Sequence, residues 1–180
     1  MLVAMAGFPG TGKSTLARAL VEALRAQGTK ALILDKDHVR ASIFQPEDVV
    51  YSQEQDDLCV DILLQVAGYL LHHAPDRIVI LDGRTFSRRD QVETVVRAAA
   101  DVAVPLIFIE CRCSEATAIE RLAQDQACQT HPARNRGPDL YRRVKAQADP
   151  LTISHFVVDT EEPLTDNVQS CLSYLLKATA

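Results

Sequence analysis

The chain has 180 residues, 47% of them hydrophobic and 24% charged, a composition suited to one soluble domain with a sizeable core. A formal net charge of -5, from 19 Lys plus Arg against 24 Asp plus Glu, argues against a constitutive nucleic-acid coat. No apolar run approaches the roughly 18 residues of a membrane span, and Met1-Leu2-Val3-Ala4-Met5-Ala6 lacks the basic leader of a signal peptide. The five cysteines, an odd number, fit reduced thiols and a cytoplasmic location. Cys111 and Cys113 would share one strand face, but no second close pair or nearby histidine completes a zinc set.

In chain order, Leu2 to Ala6 reads as a short apolar strand closed by Gly7. Leu16, Leu20 and Leu24 recur every four residues, which predicts a helix from about Lys13 to Gln27 that Gly28 ends. Ala31 to Leu34 is a second strand, running into Asp35. A long helix is expected over roughly Asp48 to His73, with Leu58, Ile62, Val66 and Tyr69 on its inner face and a break near Gly68. Ile78 to Leu81 forms a third strand ending at Asp82-Gly83, and Val92, Val95, Val96 and Ala99 mark the next helix. Leu106 to Ile109 is a fourth strand. Ser114 can cap a helix that buries Ala118, Ile119 and Leu122. Phe156 to Val158 is a fifth strand, followed by a helix carrying Val168, Leu172 and Leu175.

Strands alternating with helices predict an α/β sandwich of three layers around a mostly parallel five-stranded sheet, formed by residues 1–180 as a single domain. Ligands of such sheets bind beyond the C-terminal strand ends. Asp35, Asp37, Asp82, Glu110 and Asp159 all fall at or just after those ends, and their mutual repulsion calls for a cation or arginines to offset it.

Gly7-Phe8-Pro9-Gly10-Thr11-Gly12-Lys13-Ser14-Thr15 carries the full pattern of a phosphate-binding P-loop between a strand and an amphipathic helix. Gly7, Gly10 and Gly12 let the backbone turn its amides inward, and the helix N-terminus adds a positive end. Thr11 and Thr15 belong to the same cradle. Lys13 is expected to reach the β and γ phosphates, and the Ser14 hydroxyl to take Mg2+. No Asn-Lys-x-Asp run of the kind that reads guanine follows.

Asp35-Lys36-Asp37-His38-Val39-Arg40 comes after the second strand. Asp37 and Arg40 are one helical turn apart and can face one cavity. A carboxylate there can orient an acceptor hydroxyl and receive its proton, and an arginine can grip an anionic group. A helix cap with a surface partner fits the same residues.

These motifs resemble the small P-loop kinases related to adenylylsulfate kinase, the kinase half of polynucleotide kinase and chloramphenicol phosphotransferase. In that family the loop Gly7 to Thr15 is followed by Asp-x-x-Arg, here Asp37-His38-Val39-Arg40. The stretch from Asp35 to Arg40 is similar to the adenylylsulfate kinase pattern Asp-Gly-Asp-Asn-Val-Arg, with Lys36 in place of glycine and His38 in place of asparagine. The resemblance implies ATP and Mg2+ as cofactors, transfer of the γ phosphate to a hydroxyl of a small molecule, neutral or anionic, Arg40 as a substrate-binding arginine, Asp37 as the acceptor-activating carboxylate, and Asp82 as a second support for the metal. It also implies an arginine-bearing helical lid over roughly residues 121–150, with Arg134 and Arg136 entering the site and Arg121 beside them, and a base-side loop at Thr160. Phe86 is a candidate for contact with an apolar or aromatic part of the acceptor and Arg88 or Arg89 for contact with a negative one, the alternative being a buried aromatic and a solvated basic pair. A polynucleotide 5'-hydroxyl kinase and a nucleotide-binding regulatory protein are the competing expectations; the acidic charge disfavours the first.

Overall fold

The computed structural model describes residues 1–128 and 137–179. Five strands, β1 (Leu2–Ala6), β2 (Ala31–Asp35), β3 (Ile78–Asp82), β4 (Leu106–Arg112) and β5 (His155–Asp159), form one sheet in the order β2-β3-β1-β4-β5. Every neighbouring pair is parallel. Because β1 lies between β3 and β4, its C-terminal end opens at the switch point where connections depart to opposite sides, which is where a parallel sheet leaves a ligand crevice.

The side chains of β1 alternate between two cores. Val3 and Met5 pack with Leu16, Leu20 and Leu24 of α1 (Lys13–Ala26) and with Val168, Leu172 and Leu175 of the last helix (Leu164–Thr179). Leu2, Ala4 and Ala6 face the other way. There they meet a long helix (Gln53–His73) through Leu63, Ala67 and Leu71, and a shorter one (Arg89–Asp101) through Val95 and Ala99. Burial on both faces explains why β1 and β3 read as unbroken apolar runs.

In chain order the helices are α1, α2 (Lys36–Ile43), α3 (Gln53–His73), α4 (Arg89–Asp101), α5 (Glu115–Cys128), α6 (Pro138–Ala146) and α7 (Leu164–Thr179), with a 3-10 turn at Pro46–Asp48. No helix among the described residues is long and apolar enough to cross a membrane.

Three expectations about α3 are corrected. Its inner face carries Cys59, Val60, Leu63, Ala67 and Leu71, while Leu58, Val66 and Tyr69 are exposed. Apolar residues lie on both stripes, so periodicity alone does not choose between them. The buried Gln55 contributes to the choice: its amide donates to the Asp48 carbonyl at 2.9 Å and accepts from the Val50 and Tyr51 amides at 3.2 and 3.3 Å. The helix also starts at Gln53, after Ser52 caps it by accepting from the Gln55 amide. It runs unbroken through Gly68, whose missing side chain allows close approach of Val102. Strand β4 extends three residues past Ile109, because Cys111 and Arg112 pair with Val158 and Asp159 of β5.

The corrected rotation of α3 has a measurable consequence. Leu63→Ala should cost about 2–5 kcal/mol of unfolding free energy, whereas Leu58→Ala should cost less than about 1 kcal/mol. Urea unfolding of both variants checks this; equal losses would return Leu58 to the core.

Candidate functional site

The loop after β1 is fixed from outside as well as by its own glycines. Gly7 has φ 130°, and a Cβ there would sit 2.3 Å from the Cys111 carbonyl oxygen of β4. Gly10 has φ 79°, and a Cβ there would sit 2.4 Å from the Ala118 carbonyl oxygen of α5. The Gly7 amide donates to the Thr85 carbonyl at 3.0 Å, tying the loop to the segment after β3. Within the loop, the Thr11 hydroxyl donates to the Phe8 carbonyl at 2.8 Å. Lys13 folds back so that its ammonium donates to the Gly7 and Phe8 carbonyls at 2.8 and 2.7 Å.

This loop forms one wall of a cavity of about 570 Å³, within the usual size for a small-molecule site. Gly10, Gly12, Lys13, Ser14 and Thr15 line it from one side, and Asp37 and Arg40 from the other. Arg121 lines it from α5 and donates to the Thr160 hydroxyl at 3.0 Å and carbonyl at 2.8 Å. A Cβ on Gly12 would meet Thr160 at 3.4 Å and the Arg121 guanidinium at 3.5 Å, so both residues stand beside the loop.

On the second wall, Asp35 is the cap. Its carboxylate accepts from the Asp37 amide at 2.8 Å and the His38 amide at 3.2 Å, which starts α2. Asp37 is therefore inside the helix and buried, where Arg40 meets its carboxylate at 2.6 Å and Lys36 at 3.5 Å. Arg40 also pairs with Asp56 of α3 and lies 5.2 Å from the centroid of the Tyr51 ring. Lys36 reaches Asp56 at 2.9 Å. Arg84, just past β3, is buried, lines the cavity and pairs with Asp57.

Lys36, Arg84, Asp56 and Asp57 did not stand out in the sequence. Arg84 had a signal, a cation two residues after a strand-end aspartate. The two aspartates had none, because their position depends on the rotation of α3. Phe86 is corrected: it is buried with φ 53° and packs edge-on against Phe108 at 5.2 Å, so it belongs to the core. Arg88 lines the cavity and pairs with Asp90, whose hydrogen bonds raise the proton affinity of the guanidinium above its ordinary value. Glu110 is engaged by Arg112 and His155, away from the cavity lining. Burial pushes the Cys111 and Cys171 thiols up to about 12, which suits packing rather than chemistry.

Asp82 is buried at the end of β3, and its Oδ1 has no hydrogen-bond partner among the described residues. An unpaired buried carboxylate oxygen on the strand beside the loop fits a site for Mg2+, with the Ser14 hydroxyl as the other protein oxygen. No cluster of three or more His, Cys, Asp or Glu able to hold a metal by itself occurs among the described residues. A nucleotide-bound Mg2+ draws its remaining ligands from phosphates and water.

Helices α5 and α6 form an arm over the loop. Tyr141 of α6 packs edge-on against Phe8 at 5.7 Å, over Ala118 and Leu122. Lys145 and Glu115 close the arm with an ion pair at 2.6 Å. Arg143 of α6 also lines the cavity. Arg134 and Arg136 lie outside the described residues.

Strand order, loop and following helix together define a P-loop nucleotide-binding fold. Residues 2–149 match the AAA domain family, and the chain belongs to it. Among solved structures it is similar to the APS kinase CysC of Mycobacterium tuberculosis in complex with AMPPNP and APS, at 16% identity and a TM-score of 0.73, with 97% of this chain and 96% of that one covered. It is also similar to Kti12 of Chaetomium thermophilum in complex with ADP-AlF3, at 14% identity and TM-score 0.66 over 96% and 98% of the two chains. A gluconokinase from Sinorhizobium meliloti matches at 18% identity and TM-score 0.65 over 98% and 91%. At these identities the likeness is one of fold. No match is found among curated proteins.

A side chain at Gly10 should displace the loop from α5. With ATP at about 100 times its Kd, the parent should gain about 2.7 kcal/mol of stability. Gly10→Val should gain almost none. Unfolding measured with and without ATP reads both; an equal gain would remove the loop from the nucleotide site.

Proposed function

We propose that the protein is an ATP-dependent kinase that transfers the γ phosphate of ATP to a hydroxyl of a small metabolite. One observation carries the reading: the Lys13–Ser14 end of the loop and the Asp37–Arg40 pair open into the same cavity. A protein that only senses nucleotide has no use for a second polar wall facing the phosphates. The size of the cavity favours a small acceptor.

In this reading ATP lies along the loop, with its base toward Thr160. Lys13 leaves the Gly7 and Phe8 carbonyls for the phosphates, exchanging two neutral acceptors for charged ones. Asp37 holds the acceptor hydroxyl and takes its proton as the oxygen bonds to the γ phosphorus and the bond to ADP breaks. Arg40 keeps the Asp37 carboxylate in position by their 2.6 Å contact and presents positive charge to the cavity. Mg2+, held by Ser14 with support from Asp82, supplies charge neutralisation at the phosphates when bound. The arm of α5 and α6 is the lid, spanning roughly 121–150. Arg121 and Arg143 approach the phosphates from it, with Arg134 and Arg136 assigned to the same role by sequence. Closure excludes water that would otherwise hydrolyse ATP.

Incubation with ATP, Mg2+ and a metabolite extract, followed by mass spectrometry, should identify a phosphorylated product. With that acceptor, Asp37→Asn should bind ATP normally in calorimetry and lose roughly 100-fold or more in kcat. Arg40→Lys keeps a cation for the buried carboxylates but loses the forked contact, so it should lower kcat/KM while remaining folded. Parent turnover by Asp37→Asn at saturating substrates would exclude it as the base.

A further inference from the structure

The acceptor wall holds three buried cations, Lys36, Arg40 and Arg84, with side-chain exposures of 9%, 3% and 7%. Their carboxylate partners come from two sources. Asp37 is buried beside them, whereas Asp56 and Asp57 reach in from the first turns of α3 and are 34% and 40% exposed. The Nε atoms of both Arg40 and Arg84 are buried and have no hydrogen-bond partner among the described residues. Buried guanidinium donors are rarely left without acceptors. A neutral hydroxyl offers a weak acceptor for such a donor, whereas an oxyanion offers several lone pairs and a compensating charge.

The wider electrostatics point the same way. The chain carries a net charge of -5, yet eight Lys or Arg line this cavity against four Asp. ATP accounts for the cations along the loop and lid. At the acceptor end Arg84 pairs with Asp57, a carboxylate that is 40% exposed and so open to replacement by a ligand anion.

Resting on the kinase reading of the site, we infer that Arg84 and Arg40 form an oxyanion subsite, so that the acceptor is an alcohol bearing a phosphate or carboxylate group. Asp57 occupies Arg84 in the absence of that group and competes with it. Arg84 is then the residue that selects charged acceptors over neutral ones. A purely structural Arg84, a strut between the segment after β3 and α3, makes a different demand: loss of either partner breaks the same strut.

The two roles predict opposite signs for Asp57→Asn. The protein, saturated with a non-hydrolysable ATP analogue, is titrated with sulfate at constant ionic strength in a calorimeter. The parent should bind one sulfate, Arg84→Gln should bind it about tenfold or more weakly, and Asp57→Asn should bind it more tightly than the parent. Glycerol, glycerate and glycerol 3-phosphate then compete with sulfate: the two anions should displace it, glycerol should not, and the stronger of the two names the group. Sulfate binding unchanged in Arg84→Gln, or weakened in both variants, overturns the subsite, as does a parent that binds none. Should Arg84→Gln fail to fold, the direction of the Asp57→Asn shift decides alone, since Asp57 is 40% exposed and its amide replacement keeps the side-chain size. None of these readings requires phosphoryl transfer. A protein that binds sulfate through Arg84 but phosphorylates nothing contradicts the kinase reading and leaves the subsite standing.

Discussion

Everything in the site depends on the close approach of two backbones to the loop after β1. The Cys111 carbonyl of β4 and the Ala118 carbonyl of α5 stand where side chains of Gly7 and Gly10 would be. Glycine there lets the loop press against the sheet on one side and α5 on the other. The loop is thereby held by α5, which also lines the cavity through Arg121, and by the sheet behind it. Within the loop the Lys13 ammonium donates to the Gly7 and Phe8 carbonyls. Phe8 in turn packs on Tyr141 of the arm above.

The acceptor side is organised by charge. Asp37 and Arg40 sit one helical turn apart, as a short helix allows, but their buried environment comes from α3, which supplies Asp56 to Arg40 and Lys36, and Asp57 to Arg84. A buried ion pair with one partner removed costs about 3–5 kcal/mol. The network therefore resists simple truncation, and its members hold one another in register for the cavity. Lys36, Arg40 and Arg84 are each paired with an aspartate, so this wall is a charge-balanced network whose exposed carboxylates, Asp56 and Asp57, face the surface side.

Local patterns made the sheet and the nucleotide wall legible from the sequence. Five apolar runs, alternating with helical repeats, led to the observed five-stranded parallel sheet. Gly7 to Thr15 is a contiguous motif whose geometry follows from its own residues. The acceptor wall was legible only where it was contiguous, at Asp37 and Arg40. Arg40 and Asp56 are 16 residues apart, and Arg84 and Asp57 are 27 apart. Their meeting depends on how α3 is rotated, and that helix has apolar residues on two faces. Gln55, a polar side chain buried against the preceding turn, helps to resolve the ambiguity, and hydrophobic periodicity gives such a residue no weight. Phe86 was misread for a related reason. A loop aromatic after a strand can point to solvent or to the core, and its left-handed backbone turns it inward to Phe108.

For the kinase proposed above, one cavity with two polar walls requires that nucleotide and acceptor bind together and that phosphate pass directly between them. Initial-rate kinetics with both substrates varied tests this most directly. A direct transfer within one cavity predicts double-reciprocal lines that intersect, because both substrates must be present before either product leaves. Parallel lines, the pattern of a phosphorylated enzyme intermediate, would contradict it.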